Sequence, residues 1–163
     1  MSVVGQMALT AVVIGTATAV LGTGRVTVPL IAGTTFIWIW IPLVQLLTGL
    51  LFVRDARVPL VEALTRYFET GRYWSCWLLL FTVVLLLGPR PFAIFDCAVA
   101  TAVIPVLLTT RALMRVARDV CGATDRSARR RVLLHQAITH TVLVCYFGWA
   151  VALGPRIVAL VRS

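Results

Sequence analysis

The sequence predicts an all-α fold, a polytopic transmembrane bundle of about five helices formed by one domain that covers residues 1–163. Of its residues 60% are hydrophobic and only 13% are charged, whereas about a quarter are charged in soluble domains. The apolar residues stand in long runs, and a bilayer core about 30 Å thick needs about 20 of them per helix. Charged residues gather between these runs, as expected for loops that reach water.

The predicted spans cover residues 4–22, 27–52, 73–88, 92–110 and 132–153. The first is rich in Ala, Thr and Gly, and small residues let helix backbones approach closely in lipid. We therefore expect it to pack inside the bundle, with a re-entrant or surface-lying segment as the alternative. Pro42 and Pro105 lie inside the second and fourth spans, where each removes a backbone donor and is predicted to kink its helix. Gly154-Pro155 is predicted to end the fifth span, and the alternative is a helix that residues 157–161 extend beyond the proline.

A cytoplasmic amphipathic interfacial helix is predicted over residues 59–70. Pro59 suits a helix start and Gly71 suits a helix end. Its predicted apolar stripe consists of Leu60, Val61, Leu64 and Phe68. Such a helix lies at the membrane surface with its apolar face in the lipid. The alternative is a helix docked under the bundle, in contact with protein instead of lipid.

The arginines predict the orientation. The chain has no lysine, and its net charge of +9 comes from arginine. The segments 54–72 and 111–131 carry eleven arginines, while the remaining turns and the C-terminal tail carry four. Because cytoplasmic loops are enriched in basic residues, the N-terminus and the larger loops are predicted to be cytoplasmic and the C-terminus external. The same rule accounts for the basic charge without a nucleic-acid partner.

The strongest concentration of charge is a set of seven candidate partner-binding or anionic-lipid-binding residues. They are Arg111, Arg115, Arg118, Arg126, Arg129, Arg130 and Arg131. An arginine near an anionic leaflet contributes about 1 kcal/mol to membrane binding. We interpret the set as a topology signal that also contacts anionic lipids, and the alternative is a docking site for an acidic partner.

Three polar residues inside the spans are candidates for chemistry, namely Asp96, His135 and His140. A carboxylate inside a membrane is a functional hypothesis, but Asp96 lies near a helix start and close to Arg90, so we interpret it as solvated or paired. The two histidines are about 140° apart around a helix, and we expect them to form hydrogen bonds between helices. Ligation of a haem or pigment by one histidine is the alternative.

Catalytic and metal-binding patterns are missing from the sequence. It contains no HExxH, GxSxG, P-loop or GxGxxG pattern. Cys76, Cys97, Cys121 and Cys145 form no CxxC pair, and we expect them to be buried thiols that act as small hydrophobes. We therefore predict no catalytic residue, metal or cofactor. No basic residue precedes Arg25, so the first apolar segment is expected to be retained instead of cleaved as a signal peptide.

The segment from Tyr67 to Leu78, which reads YFETGRYWSCWL, is similar to a segment of uncharacterised bacterial membrane proteins. The five-span layout also resembles that of Yip1-like membrane proteins. This resemblance implies a multi-pass protein of the bacterial inner membrane. The chain departs from the Yip1-like pattern at its start, because its first span begins almost at Met1.

Three functions follow as hypotheses. The first is a non-catalytic accessory or scaffold subunit, or a protein of membrane organisation, whose partners are the lipid bilayer, anionic lipids, and other membrane subunits or further copies of itself. The second is an oligomeric small transporter or channel subunit that uses Asp96. The third is a cofactor-binding membrane subunit that uses His135 or His140.

Overall fold

The described chain is helical throughout, which confirms the all-α prediction. The computed structural model describes residues 2–87, 97 and 100–162. Its helices are α1 (Val3–Thr23), α2 (Val28–Trp38), α3 (Trp40–Phe52), α4 (Leu60–Glu69), α5 (Arg72–Leu87), α6 (Val103–Asp119) and α7 (Asp125–Arg162).

Two segments are long and apolar enough, by length and composition, to cross a bilayer. They are Val3–Val20 in α1 and Val28–Phe52 across α2 and α3. Helix α5 has 16 residues, about 24 Å at 1.5 Å per residue, which is less than the bilayer core of about 30 Å. Residues 88–96, 98 and 99 lie outside the described ranges, so the fourth predicted span is only partly described. The number of five spans stays a prediction.

The ends of α1 and the start of α2 follow from their capping residues. Ser2 Oγ accepts a hydrogen bond from the backbone N–H of Gly5 at 3.1 Å, as an N-cap side chain does. Gly24 ends α1 in the left-handed conformation, with a φ of 65°, where glycine has no steric penalty. Pro29 lies in the first turn of α2, where its missing N–H costs no hydrogen bond.

Two prolines interrupt helices, as predicted. The helix between α2 and α3 breaks at Ile39, and the break before α6 is at Ala102. Each lies three residues before a proline, Pro42 or Pro105. A proline cannot donate to the carbonyl four residues earlier and its ring crowds that carbonyl, so the chain relaxes in the intervening turn. The Ile39 N–H bonds instead to the Phe36 carbonyl at 3.4 Å, a tighter turn than an α-helix.

Small residues bring α1 and α2 close together. Ala11, Gly15 and Ala19 lie four residues apart on one face of α1 and are all buried. The Thr34 hydroxyl of α2 donates to the Gly15 carbonyl at 2.8 Å, and a methyl group on Gly15 would overlap Thr35. Helix α1 also contacts α3, α4 and α5. The predicted close packing of the first span is therefore confirmed.

The apolar core lies at one end of the helices, around α4. It joins the end of α3, α4, the second half of α6 and the start of α7. The buried residues of α4 are Ala63, Leu64, Tyr67 and Phe68. Leu60 and Val61 are 53% and 72% exposed, so only Leu64 and Phe68 of the predicted stripe lie on the face that packs against protein. The buried face contacts α3 and α6, which is the protein-docked arrangement.

Helix α7 begins at a capping residue and continues past Pro155. The backbone N–H of Ser127 donates to Thr124 Oγ1 at 3.4 Å, which places Thr124 at the N-cap. Gly122, with a φ of 61°, separates α6 from α7. The helix continues to Arg162, which is the alternative with an extension beyond the proline. A proline removes one helical hydrogen bond, and neighbouring turns can hold the helix across that gap.

Gly15→Ala is expected to destabilise the protein by about 1–3 kcal/mol, because the added methyl group overpacks the contact with Thr35. Gly33→Ala in α2 is the matched control, since a methyl group there meets open space and alanine favours helix by roughly 0.5–1 kcal/mol. Thermal unfolding of both variants in one detergent measures the difference. A Gly15→Ala variant as stable as Gly33→Ala would contradict the close α1–α2 contact.

Candidate functional site

Hydrogen bonds join the end of α3 and the turn that follows it to the end of α6 and to the first turns of α7. The Arg57 N–H donates to the Val120 carbonyl at 2.8 Å. Arg131 Nη1 donates to the Phe52 carbonyl at 2.8 Å, and Arg131 Nη2 donates to Asp55 Oδ2 at 2.5 Å. The last carbonyls of a helix have no partner within it, so Arg131 satisfies one at the end of α3. The two arginine-rich segments of the sequence therefore meet at one end of the helices, which we call the arginine end.

The groups around Arg131 respond to its charge and to burial. The hydrogen bond from Arg131 lowers the pKa of the Asp55 carboxyl below its usual value. The Cys121 thiol donates to the Phe52 carbonyl at 3.8 Å, and burial raises its pKa. The Arg131 side chain is only 20% exposed. Arg131 therefore links α7 to the end of α3 and to the turn after it, through the two terminal nitrogens of its guanidinium group.

The other predicted arginines lie on the surface. Arg111, Arg115, Arg118, Arg126, Arg129 and Arg130 are all exposed. Arg118 lies 3.5 Å from Asp125, which links the end of α6 to the start of α7. The described residues place no carboxylate within ion-pair distance of the remaining five. The arginine end therefore presents positive charge that the described chain leaves largely uncompensated.

A buried polar cluster lies beside the arginine end, where α3, α4 and α7 meet. Tyr67 contacts His135 Nε2 through its hydroxyl at 3.2 Å and Thr48 Oγ1 at 3.3 Å. The Phe52 ring packs edge-on against His135, with centroids 5.2 Å apart. Gly49 makes room for the Tyr67 ring, since a Cβ there would overlap it. We call Thr48, Tyr67 and His135 the hydroxyl–imidazole cluster.

One arrangement of hydrogens satisfies the whole cluster. The Thr48 hydroxyl lies 2.9 Å from the Val44 carbonyl, which has no hydrogen, so Thr48 donates there. Tyr67 then donates to Thr48, and His135 Nε2–H donates to Tyr67. Burial raises the pKa of Tyr67 to about 12, so its phenol stays protonated at neutral pH. The cluster is thus a linear series of hydrogen bonds that connects three helices, and it includes the bond between helices that the sequence predicted for His135. It contains no ionised nucleophile.

Tyr67 and Thr48 were not among the predicted site residues. The residue type of Tyr67 could have indicated the cluster, because a buried tyrosine usually pairs its hydroxyl group with a hydrogen-bond partner. Its place on the buried face of α4 becomes evident only once that face is known. In the sequence, Thr48 is distinguished only as a threonine inside a predicted span.

The remaining candidates are placed separately. His140 Nδ1 lies 2.7 Å from the Gln136 carbonyl, a contact within its own helix and not the expected hydrogen bond between helices. Asp96 lies outside the described residues. Cys121 is buried as expected, whereas Cys76, Cys97 and Cys145 are exposed, so the prediction of four buried thiols was wrong for these three. Among the described residues, no group of three His, Cys, Asp or Glu side chains has a metal-binding arrangement.

Comparison of the chain with protein-family models, with curated proteins and with solved structures gave no match.

Tyr67→Phe is expected to destabilise the protein by about 1–3 kcal/mol, because it leaves the buried Thr48 and His135 without their shared partner. Tyr73→Phe, at a partly exposed tyrosine, is the control and should change the free energy of unfolding by less than about 0.5 kcal/mol. Equilibrium unfolding in mixed micelles compares them. Equal stability of the two variants would argue against the hydroxyl–imidazole cluster.

Asp55→Asn is expected to lower the unfolding temperature at neutral pH, because it removes the carboxylate partner of Arg131. The folded-state pKa of Asp55 is depressed from 3.8, so its contribution is complete above that value and is lost as the pH falls below it. Melting curves of both proteins from pH 7 to pH 3 should therefore converge at the acidic end. Asp125→Asn, which changes a carboxylate that is 70% exposed, is the control. A wild-type advantage that stays constant down to pH 3 would rule out this ion pair as its source.

Proposed function

We propose that this protein is a non-catalytic integral membrane subunit that acts through contacts, as an accessory or scaffold component of a bacterial inner-membrane complex. The observation behind the proposal is the uncompensated charge of the arginine end. Five exposed arginines there have no carboxylate partner among the described residues. Exposed charges of one sign on a rigid surface favour a partner of the opposite sign.

The outward-facing side chains support a location in the membrane. Large hydrophobic residues are exposed on several helices, among them Phe36 at 77%, Leu51 at 66%, Leu80 at 65% and Leu133 at 70%. Monomeric soluble proteins rarely expose large contiguous apolar patches, and such surfaces usually meet lipid or another protein. Together with the two candidate spans, they favour a chain that is surrounded by lipid along much of its length.

The proposed topology has five spans with the arginine end in the cytoplasm. Eleven arginines belong to the segments 54–72 and 111–131, against four elsewhere, and basic residues are retained on the cytoplasmic side. Contacts such as Arg57 with Val120 and Arg131 with Asp55 support a common side for both segments. The C-terminus is then external.

The hydroxyl–imidazole cluster also favours a structural function. His135 bonds Tyr67 across helices, which is the contact we expected of a histidine that stabilises a bundle. The hydroxyl groups of Thr10, Thr16 and Thr18 donate to carbonyls four residues earlier in α1. These hydroxyl groups are thus satisfied inside the chain, whereas the five exposed arginines have no carboxylate partner among the described residues.

The proposal is tested by purifying tagged protein from native membranes in a mild detergent and identifying what elutes with it. A triple variant, Arg126→Gln, Arg129→Gln and Arg130→Gln, should lose the partner. Each exposed ion pair contributes up to about 1 kcal/mol, so three together weaken association by roughly tenfold to a hundredfold.

The matched control removes the same charge from the proposed external side, as Arg25→Gln, Arg156→Gln and Arg162→Gln, and should keep the partner. The first triple variant leaves eight arginines against four, so its topology is expected to persist, and thiol-reagent accessibility in intact cells checks it. A wild-type protein that elutes alone and monomeric from several mild detergents would contradict the accessory-subunit proposal.

A further inference from the structure

A cavity of about 200 Å³, lined by both polar and apolar groups, opens where α4, α5 and α6 meet at the arginine end. Its charged and hydroxyl-bearing lining comprises Arg66, Glu69, Thr70, Arg72, Tyr73, Arg115 and Asp119. The buried side chains of Ala112 and Val116 form its apolar floor. The volume is several times the roughly 30 Å³ that one water occupies in the liquid, so the cavity has room for a small polar group.

Two arginines of the cavity, Arg72 and Arg115, lie near Tyr73. Arg72 Nη2 donates to the Tyr73 hydroxyl at 3.2 Å, and its guanidinium lies 5.1 Å from the centre of the Tyr73 ring. Arg115, which reaches the cavity from α6, is within electrostatic range of the same hydroxyl. Within the described chain neither arginine has a carboxylate at ion-pair distance. Paired guanidinium groups are well suited to phosphate oxygens.

Two carboxylates, those of Glu69 and Asp119, line the same cavity. Both are exposed, and the described residues offer neither of them an ion-pair partner. By contrast, Arg66 is held by Glu62 at 2.6 Å. One cavity thus brings together two arginines and two carboxylates that do not neutralise each other through direct contacts. A ligand that carries both a phosphate and an amine would offer partners to the arginines and to the carboxylates.

Apolar side chains extend from the cavity along the two flanking helices. Leu80 lies seven residues after Tyr73, and Leu108 lies seven residues before Arg115, so each falls on the cavity side of its helix. Both are exposed, Leu80 at 65% and Leu108 at 36%. These positions suit acyl chains that run away from a headgroup.

We propose that this cavity binds the headgroup of an aminophospholipid, with its phosphate on Arg72, Arg115 and Tyr73 and its primary ammonium on Glu69 and Asp119. The proposal rests on the membrane location proposed above. It adds a specific lipid site, separate from the arginines of α7 that are proposed to meet a protein partner.

The experiment titrates delipidated full-length protein with three lipids of identical acyl chains and counts bound lipids by native mass spectrometry. The lipids are phosphatidylethanolamine, phosphatidylcholine, whose quaternary amine has no N–H donor, and phosphatidylglycerol, which has no amine. Phosphatidylethanolamine should bind most tightly. Arg72→Gln with Arg115→Gln should weaken all three, by about fivefold for each arginine.

The variant Glu69→Gln with Asp119→Asn gives the decisive result. It should abolish the preference for phosphatidylethanolamine and strengthen binding of phosphatidylglycerol, a gain that misfolding cannot produce. The control, Asp125→Asn with Arg129→Gln, changes one residue of each sign that neither lines the cavity nor pairs with a lining residue, and it should bind as wild type does. Equal wild-type affinities for the three lipids, or a Glu69/Asp119 variant that behaves as the control, would overturn the proposal.

Two further measurements separate the sources of failure. Soluble phosphoethanolamine that binds as tightly as the lipid would reassign the cavity to a water-soluble phosphate ester and overturn the lipid assignment. Retention in carbonate-washed membranes tests the membrane location independently, and partner co-elution tests the accessory function. A membrane-retained protein with an intact partner but no headgroup preference would overturn this inference alone.

Discussion

The carbonyl group of Phe52, the last residue of α3, is the point on which the arginine end depends. It accepts hydrogen bonds from the Arg131 guanidinium and from the Cys121 thiol. A helix leaves its last carbonyls without partners, and a buried carbonyl without one is costly. Satisfying this one from α7 fixes the distance between α3 and α7. Helix α4 packs beside that junction, and residues of α3, α6 and α7 cover its buried face.

The helix ends and interruptions were readable from the sequence because they have local causes. Gly24 and Gly122 adopt positive φ angles that other residues avoid, and Thr124 caps α7 through its own side chain. The breaks before Pro42 and Pro105 occur because each proline lacks the N–H that would donate to the carbonyl four residues earlier. Each of these features depends on no more than five consecutive residues, so no knowledge of the tertiary structure was needed.

The orientation of α4 was not readable in the same way. Leu60 and Val61 are apolar and fit a helical stripe, yet they are exposed, whereas Tyr67 is 5% exposed in the core. Helical periodicity tells which residues share a face, and two overlapping faces of α4 are apolar. The choice between them depends on residues that approach from α6 and α7, such as Leu113 and Val132. Periodicity within ten residues contains no information about those partners.

The site shows the same limit at the level of single residues. Arg130 and Arg131 are adjacent and chemically identical, but one is exposed and the other binds Asp55 and the end of α3. Consecutive residues of α7 point about 100° apart around the helix axis. Arg131 therefore points toward the turn that contains Asp55, some 75 residues earlier, whereas Arg130 points away from it. Arg72 and Arg115 are likewise brought to one cavity by a fold that sequence spacing does not reveal. Composition predicted a basic surface, and packing decides which of its arginines are available.

The position of the core has a consequence for biosynthesis. Its α4 residues, Ala63 to Phe68, pack against Leu113 to Val132, which the ribosome adds later. At about 5–20 residues per second, the segment from Phe68 to Val132 takes roughly 3–13 seconds to synthesise. During that interval the apolar face of α4 has been made, but much of what covers it has not. Transiently exposed apolar surface makes a nascent chain prone to aggregation, and this exposure ends when the start of α7 has been made.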